Sequence, residues 1–162
     1  MYVIGNLPDR LEQAIHATRQ RNYHRAAKLF EQEHDALVDP EANFERMPVL
    51  SYYGLCLAMV WGDTDRALKF CRAAVRWCAT DPDLFFNLGM VQLRRRRRDL
   101  AVVAFREGLK LDPLHPGLCQ TRERLRRRRH PFIPYLHRAH PLNKFAGLFA
   151  TRLLDQAVDE PV

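Results

Sequence analysis

The 162-residue sequence contains few of the residues from which catalytic sites are built. Ser51 is its single serine, and it falls inside a predicted helix. The sequence lacks the GxGxxG and GxxxxGK[ST] loops that bind dinucleotides and phosphates, and it lacks the zinc-binding HExxH pair. No nucleophile and base can be placed together on the predicted helices. We therefore expect no enzymatic activity and no cofactor.

Metal ligands are also scarce. His130, His137 and His140 lie close together, with Cys119 upstream, but their spacing matches no compact zinc pattern. The neighbouring arginines would repel a cation. We expect no metal site and interpret these histidines as loop and helix-end residues.

The cysteines are few, and the apolar runs are short. Cys56, Cys71, Cys78 and Cys119 form no CxxC motif, and Cys71 and Cys78 on one helix would lie about 10.5 Å apart, too far for a disulfide. Such thiols are typical of a reducing, cytoplasmic compartment. The longest uncharged run, residues 47–62, is shorter than the roughly 20 residues of a membrane span. The N-terminus also lacks the pattern of a secretory signal, so we expect neither a signal nor a transmembrane segment.

Lysine is rare, whereas arginine is abundant. The chain has 22 Arg and four Lys, and its net charge is +7. This excess lies in residues 94–138, which carry +10, while residues 1–93 and 139–162 carry −2 and −1. A basic protein suggests nucleic-acid binding. A localised excess instead indicates a docking surface or a group of helix-end charges.

Helical periodicity dominates the sequence, and no segment alternates as a β-strand does. Residues 82–115 form the clearest unit, in which Ala101 follows Gly89 by twelve residues, and Phe105 and Asp112-Pro113 come next. Small residues at these positions let two antiparallel helices cross closely, with a phenylalanine filling the space beside them. The pattern and its 34-residue length resemble the tetratricopeptide repeat (TPR).

Two weaker copies precede this unit. In residues 47–81, Ala67 follows Gly54 by 13 residues, so we expect one extra residue near the turn between the helices. Pro82 comes three residues late, so we also expect a longer second helix in this copy. Residues 7–46 hold the first copy, whose surplus length fits an enlarged acidic loop.

The resemblance implies an all-α, TPR-type right-handed helical solenoid with three helix-turn-helix repeats and a capping helix. We expect the array to occupy residues 1–130. Its parts are repeats at about 7–46, 47–81 and 82–115 and a capping helix at 116–129.

The tail, residues 131–162, contains prolines, and we expect a C-terminal amphipathic helix, because apolar residues between Leu142 and Ala157 recur at helical spacing. We expect this tail to fold back on the array, as a cap on its edge or as an occupant of its groove. An alternative is an amphipathic helix on a membrane surface. The motif FIPYLHRAHPLNKFAG also resembles the ending of small bacterial TPR proteins of unassigned function.

In the TPR family, side chains of the first helices face a concave groove and bind peptides. Here an apolar floor with one amide is expected. Some TPR co-chaperones hold a carboxylate with Lys, Asn and Arg side chains, but Leu11, Ile15, Tyr52, Asp83 and Asn87 occupy those positions here. A chaperone tail is therefore not the expected ligand. The predicted groove residues are Leu11, Ile15, Tyr52, Leu55, Met59, Phe86, Asn87, Met90 and Leu93.

The two arginine runs lie 34 residues apart, so stacked repeats would place both on one edge of the solenoid. This basic edge is interpreted as a solvated surface, as a site for an acidic protein, or as a backbone-driven site for nucleic acid or anionic lipid. The acidic residues of 31–45 also allow head-to-tail self-association. The basic edge comprises Arg94, Arg95, Arg96, Arg97, Arg98, Arg126, Arg127, Arg128 and Arg129.

The function expected from the resemblance is non-catalytic protein–protein recognition, as a cytoplasmic adaptor or assembly scaffold. Two alternatives stay open. One is a chaperone for an apolar secreted protein, similar to class II chaperones of type III secretion. The other is binding of nucleic acid or an anionic surface through the arginine runs.

Overall fold

The structure of the protein, a computed structural model, describes residues 9–33, 37 and 47–127. These residues fold into seven α-helices and contain no β-strand. The chain divides into two compact units, Met1–Arg122 and Glu123–Val162, and the packing described below lies within the first. The helices are α1 (Asp9–Arg19), α2 (Tyr23–Gln32), α3 (Met47–Cys56), α4 (Thr64–Trp77), α5 (Pro82–Arg94), α6 (Arg98–Leu111) and α7 (Pro116–Arg127).

Consecutive helices pack in pairs, α1 with α2, α3 with α4 and α5 with α6. Successive pairs also pack on each other, because α3 contacts α1, α2 and α5, and α4 contacts α5. The apolar residues that recur on one face of each helix form a shared core between these pairs. The all-helical class predicted from the periodicity is therefore confirmed.

A residue in the left-handed conformation ends the first helical segment of each pair. Arg21, Gly62 and Arg96 have φ values of 62°, 74° and 61°. At Arg21 and Arg96 the closing hydrogen bonds are the same, because each N–H donates to the carbonyl three residues back and the next N–H to the carbonyl five back. A fully buried alanine follows each of the three residues at a distance of five: Ala26, Ala67 and Ala101.

The close helix crossing predicted from the spacing of small residues is present in the second and third pairs. A Cβ atom added to Gly89 would lie 2.2 Å from Cε1 of Phe105, whose side chain is buried between α5 and its neighbours. A Cβ atom added to Gly54 would lie 3.1 Å from the carbonyl oxygen of Ala67. A methyl group at Gly89 would therefore overlap the Phe105 ring, whereas one at Gly54 would need only a small shift of its neighbours.

The extra residue of the second pair lies in a π-helical turn, Leu57–Trp61, which continues α3. Gly62 follows Gly54 by eight residues, whereas Arg96 follows Gly89 by seven. Such turns absorb a one-residue insertion inside a helix. The insertion therefore lies directly before the turn, close to where the spacing predicted it.

The prediction of a longer second helix in this pair was wrong. Helices α4 and α6 each contain 14 residues. Pro82 and Pro116 each occupy the first position of the next helix, where a missing N–H costs nothing. Pro82 therefore corresponds to Pro116, and Pro113 lies in the linker between α6 and α7.

Three expected features lie outside the described residues: the acidic loop apart from the buried Leu37, the C-terminal tail with its amphipathic helix, and the histidine cluster from His130 onward. In the part of the chain that the structure describes, no helix has the length and apolar character needed to cross a membrane.

Candidate functional site

A cavity of about 550 Å³ lies among the first helices of the three pairs and the start of α7. Its lining comes from alternate elements along the chain, because α1, α3, α5 and α7 contribute to it whereas α2, α4 and α6 do not. Phe86, Leu55 and Pro116 supply apolar surface, and Asn87 and Gln120 supply amides. A mainly apolar wall with a few polar groups is typical of ligand-binding cavities.

The structure places the predicted groove residues in different environments. Four of them, Tyr52, Leu55, Phe86 and Asn87, line the cavity. Leu11 and Ile15 are buried in the core, because α1 packs against α2 and α3. The remaining three are only partly buried: Met59, Met90 and Leu93.

Sequence reasoning missed the polar side of the cavity. Arg19 ends α1, Arg21 lies in the following turn, and His115 precedes α7. These residues lie at helix ends, so the apolar periodicity that identified the groove does not include them. The sequence-based prediction named Asp83 only as one of the residues that replace the carboxylate-binding side chains of some TPR co-chaperones.

Asp83 is the centre of a polar network that joins four elements. Its Oδ2 atom accepts from Arg19 Nη2 at 2.7 Å, from Arg19 Nε at 3.1 Å and from the Tyr52 hydroxyl at 2.8 Å. His115 Nε2 lies 2.9 Å from the other carboxylate oxygen. Arg19 also donates to the Tyr52 hydroxyl at 3.1 Å, and its guanidinium lies 5.6 Å from the centre of the Tyr52 ring. The network therefore ties α1, α3 and the start of α7 to the beginning of α5.

Burial would raise the pKa of Asp83, but the hydrogen bonds from Tyr52, Arg19 and His115 and the charge of Arg19 outweigh it and lower the pKa. Burial and the charge of Asp83 raise the pKa of Tyr52, so its hydroxyl stays protonated and donates to Asp83. Burial would lower the pKa of Arg19, but Tyr52 and Asp83 raise it. Asp83 is therefore ionised and paired at neutral pH.

His115 has both ring nitrogens engaged. The N–H of Leu118 donates to Nδ1 at 3.2 Å, so the proton lies on Nε2 and is donated to Asp83. The ring therefore caps the start of α7, and both of its nitrogens are engaged in these contacts. Among residues 9–33 and 47–127, no three His, Cys, Asp or Glu side chains gather as a metal site would require.

The single serine lies in the core next to the cavity wall. Ser51 is fully buried, donates to Cys71 Sγ at 3.7 Å and accepts from Asn87 Nδ2 at 3.3 Å. Burial raises the pKa of the Cys71 thiol to about 12, although the hydrogen bond with Ser51 opposes this. These bonds fix the orientation of the Asn87 amide at the cavity.

The first arginine run is divided between two environments. Arg94 Nε donates to the carbonyl of Ala58 in the π-helical turn at 3.3 Å. Arg95 donates to the Thr64 hydroxyl at 3.2 Å and pairs with Asp65, both at the start of α4. These two side chains therefore connect the third pair to the second.

The other arginines of the two runs lie at the turn before α6 and at the end of α7 or beyond it. Arg96 and Arg97 are exposed, and Arg98 begins α6. Arg126 and Arg127 belong to the last turn of α7, but their side chains lie outside the described residues, as do Arg128 and Arg129 altogether.

These observations define an all-α protein of packed helix pairs with a polar network in a shared cavity. No family model matches the sequence. A search of curated proteins finds none that matches it.

Proposed function

We propose that the chain is a non-catalytic protein-binding module of the TPR type, whose helix pairs form a right-handed solenoid and whose cavity binds a peptide segment of a partner protein. The observation that carries this proposal is the lining of the cavity by alternate elements, α1, α3, α5 and α7. In a stack of helix pairs, the first helices form one layer, and a ligand on that layer contacts several repeats at once.

The recurring turn geometry supports the repeat architecture. Gly62 and Arg96 lie 34 residues apart, both are left-handed, and both precede a buried alanine by five residues. Arg21 and Ala26 repeat this relation in the first pair. The same local unit therefore occurs three times, the number at which a repeat array becomes stable.

The chemistry of the lining favours a peptide. Phe86 offers a partly buried ring for an apolar side chain, and Asn87 and Gln120 offer amide groups for a peptide backbone. We also propose a reducing, cytoplasmic setting, because Cys56, Cys71 and Cys78 are free and buried.

Selection of 12-residue peptides from a random phage library on the purified full chain tests this function. We expect enriched peptides whose binding weakens at least about tenfold in Phe86→Ala, since aromatic anchors dominate such interfaces. Gln120→Trp should also weaken binding, because it adds bulk at an exposed position of the lining. Val103→Ala is the matched control, because Val103 is 56% exposed on α6 and does not line the cavity.

Thermal melts of each variant separate lost binding from lost folding. Enriched peptides that bind Phe86→Ala and Gln120→Trp as tightly as the wild type would contradict the proposal. A library that yields no cavity-dependent peptide would contradict it as well.

A further inference from the structure

Two arginines line the cavity, and of these only Arg19 pairs with a carboxylate among the described residues. Arg19 pairs with Asp83, and His115 also contacts the Asp83 carboxylate. Arg21 donates instead to the uncharged amide of Gln120 at 2.8 Å. Within the part of the chain that the structure describes, Arg21 contacts no carboxylate. Among the described residues, the charge of Arg21 therefore has no compensating carboxylate.

Hydrogen bonds of its backbone and of its guanidinium hold Arg21 beside the cavity. Its backbone has the left-handed conformation and closes α1 through a hydrogen bond from its N–H to the Thr18 carbonyl at 2.9 Å. Its guanidinium reaches Gln120 in α7, 99 residues along the chain. One of its five N–H donors is used in this bond, so a flat guanidinium face with further donors remains for a ligand.

We infer that the bound segment is acidic, with an Asp or Glu side chain that pairs with Arg21 while a neighbouring apolar side chain contacts Phe86. This inference rests on the proposed function and adds the class of peptide. A carboxylate matches the guanidinium fork in charge and geometry, and it would compensate the charge of Arg21, which pairs with no carboxylate in the described ranges. The apolar wall lies on the same cavity, so the two contacts are available to one short segment.

Arg96 provides a matched control for Arg21. Both residues are exposed, have φ close to 60° and close the first helix of a pair with the same two hydrogen bonds. Arg96 does not line the cavity. Asparagine accepts the left-handed conformation, so Arg21→Asn and Arg96→Asn remove the same charge with the same effect on the backbone.

The experiment uses the random 12-residue phage library and then synthetic copies of the enriched peptides, amidated at the C-terminus. We expect enrichment of Asp and Glu, and binding by fluorescence anisotropy that weakens about three- to tenfold in Arg21→Asn. Arg96→Asn should leave the affinity within about 1.5-fold, since its charge is not at the cavity. Gln120→Ala removes the hydrogen bond but keeps the charge, so it should weaken binding less than Arg21→Asn.

The outcomes separate this inference from the proposed function. Peptides that need Phe86 but show no acidic preference, or that bind both asparagine variants equally, would overturn the inference and leave the function standing. The absence of any cavity-dependent peptide would overturn both. If single-stranded RNA of 12 nucleotides bound in an Arg21-dependent manner while acidic peptides did not, the ligand class inferred here would be wrong.

Discussion

The second and third helix pairs share a plan but differ in where they offer polar groups. In α3 every residue from Pro48 to Cys56 is buried, because neighbouring helices cover it. The α3 residues that line the cavity, Tyr52 and Leu55, are therefore buried, whereas Asp83 and Phe86 of α5 line it and are only partly buried. The place of a helix pair in the stack, more than its own sequence pattern, therefore determines which of its side chains are accessible to a ligand.

The two pairs also differ at equivalent positions of their helix ends. The second residue of α3 is Pro48, whereas the second residue of α5 is Asp83, the centre of the polar network. Asp63 caps α4 by accepting from the N–H of Arg66 at 3.1 Å, whereas Arg97 at the same place before α6 makes no side-chain cap. The third pair therefore lacks the side-chain cap that stabilises the start of α4, but it has charged side chains, Asp83 and Arg97, at the two positions.

The largest effect is expected at the crossing of the third pair. Gly89→Ala should lower the free energy of unfolding by roughly 3 kcal/mol, because the new methyl group would overlap the buried Phe105 ring. Gly54→Ala should cost less, since its nearest contact is 3.1 Å. Urea unfolding of both variants measures the difference. Equal stability of the two variants would contradict the tighter crossing in the third pair.

The second largest effect on stability is expected at Asp83, a carboxylate whose position in α3 is occupied by Pro48. Asp83→Asn should lower the free energy of unfolding by about 1.5–2 kcal/mol at pH 7, because it removes hydrogen bonds to a charged group. The folded state lowers the pKa of Asp83, so it binds fewer protons than the unfolded chain, and this stabilisation is lost as the pH falls below about 4.

Urea unfolding of the wild type and Asp83→Asn between pH 7 and pH 2.5 checks the sign. The stability gap between the two proteins should narrow as the pH falls. A gap that stays constant or widens would show that ionisation of Asp83 does not stabilise the fold. Burial raises the pKa of Asp81, so protonation of Asp81 favours the folded state as the pH falls. Because both proteins contain Asp81, this effect cancels when their stabilities are compared.

A smaller effect is expected where the third pair supports the second. Arg94→Gln should lower the free energy of unfolding by about 0.5–1.5 kcal/mol, because it removes the donor to the Ala58 carbonyl in the π-helical turn. Arg96→Asn removes the same charge without this bond and serves as the control. If both substitutions change the urea midpoint alike, Arg94 acts through charge alone and the proposed link between the pairs is refuted.

The smallest effect should be a gain. Arg97→Asp gives α6 the cap that Asp63 gives α4, and we expect the free energy of unfolding to rise by about 0.5–1 kcal/mol. Arg97→Asn tests the same hydrogen bond without a negative charge. A loss of stability in both variants would mean that the turn before α6 cannot adopt the geometry of the turn before α4.

Much of the local architecture could be predicted from single spacings. The spacing of Gly89, Ala101 and Phe105 predicted a helix crossing, because small residues let two helices approach closely and a large residue fills the space beside them. The 13-residue step from Gly54 to Ala67 identified an insertion, but a helix and a turn can both absorb one residue, so its π-helical form could not be predicted.

The polar side of the candidate site was not predictable in the same way. Arg19 and Asp83 are 64 residues apart, and His115 is a further 32 residues along the chain. No short motif links them, and their contact depends on how three helix pairs pack together. The mistaken expectation for Pro82 arose because two prolines, Pro113 and Pro116, lie near the start of α7, and the spacing matched Pro82 to Pro113 although its position in the helix matches Pro116.

The five-residue step from each left-handed residue to its buried alanine has a consequence for how this chain tolerates changes in length. The inserted residue of the second pair lies before Gly62, and the step from Gly62 to Ala67 is the same as in the other pairs. The segment from the turn to the alanine therefore keeps its length in all three pairs, and the end of the preceding helix takes up the added residue. In the second pair one residue is gained without a change in the start of the helix that follows.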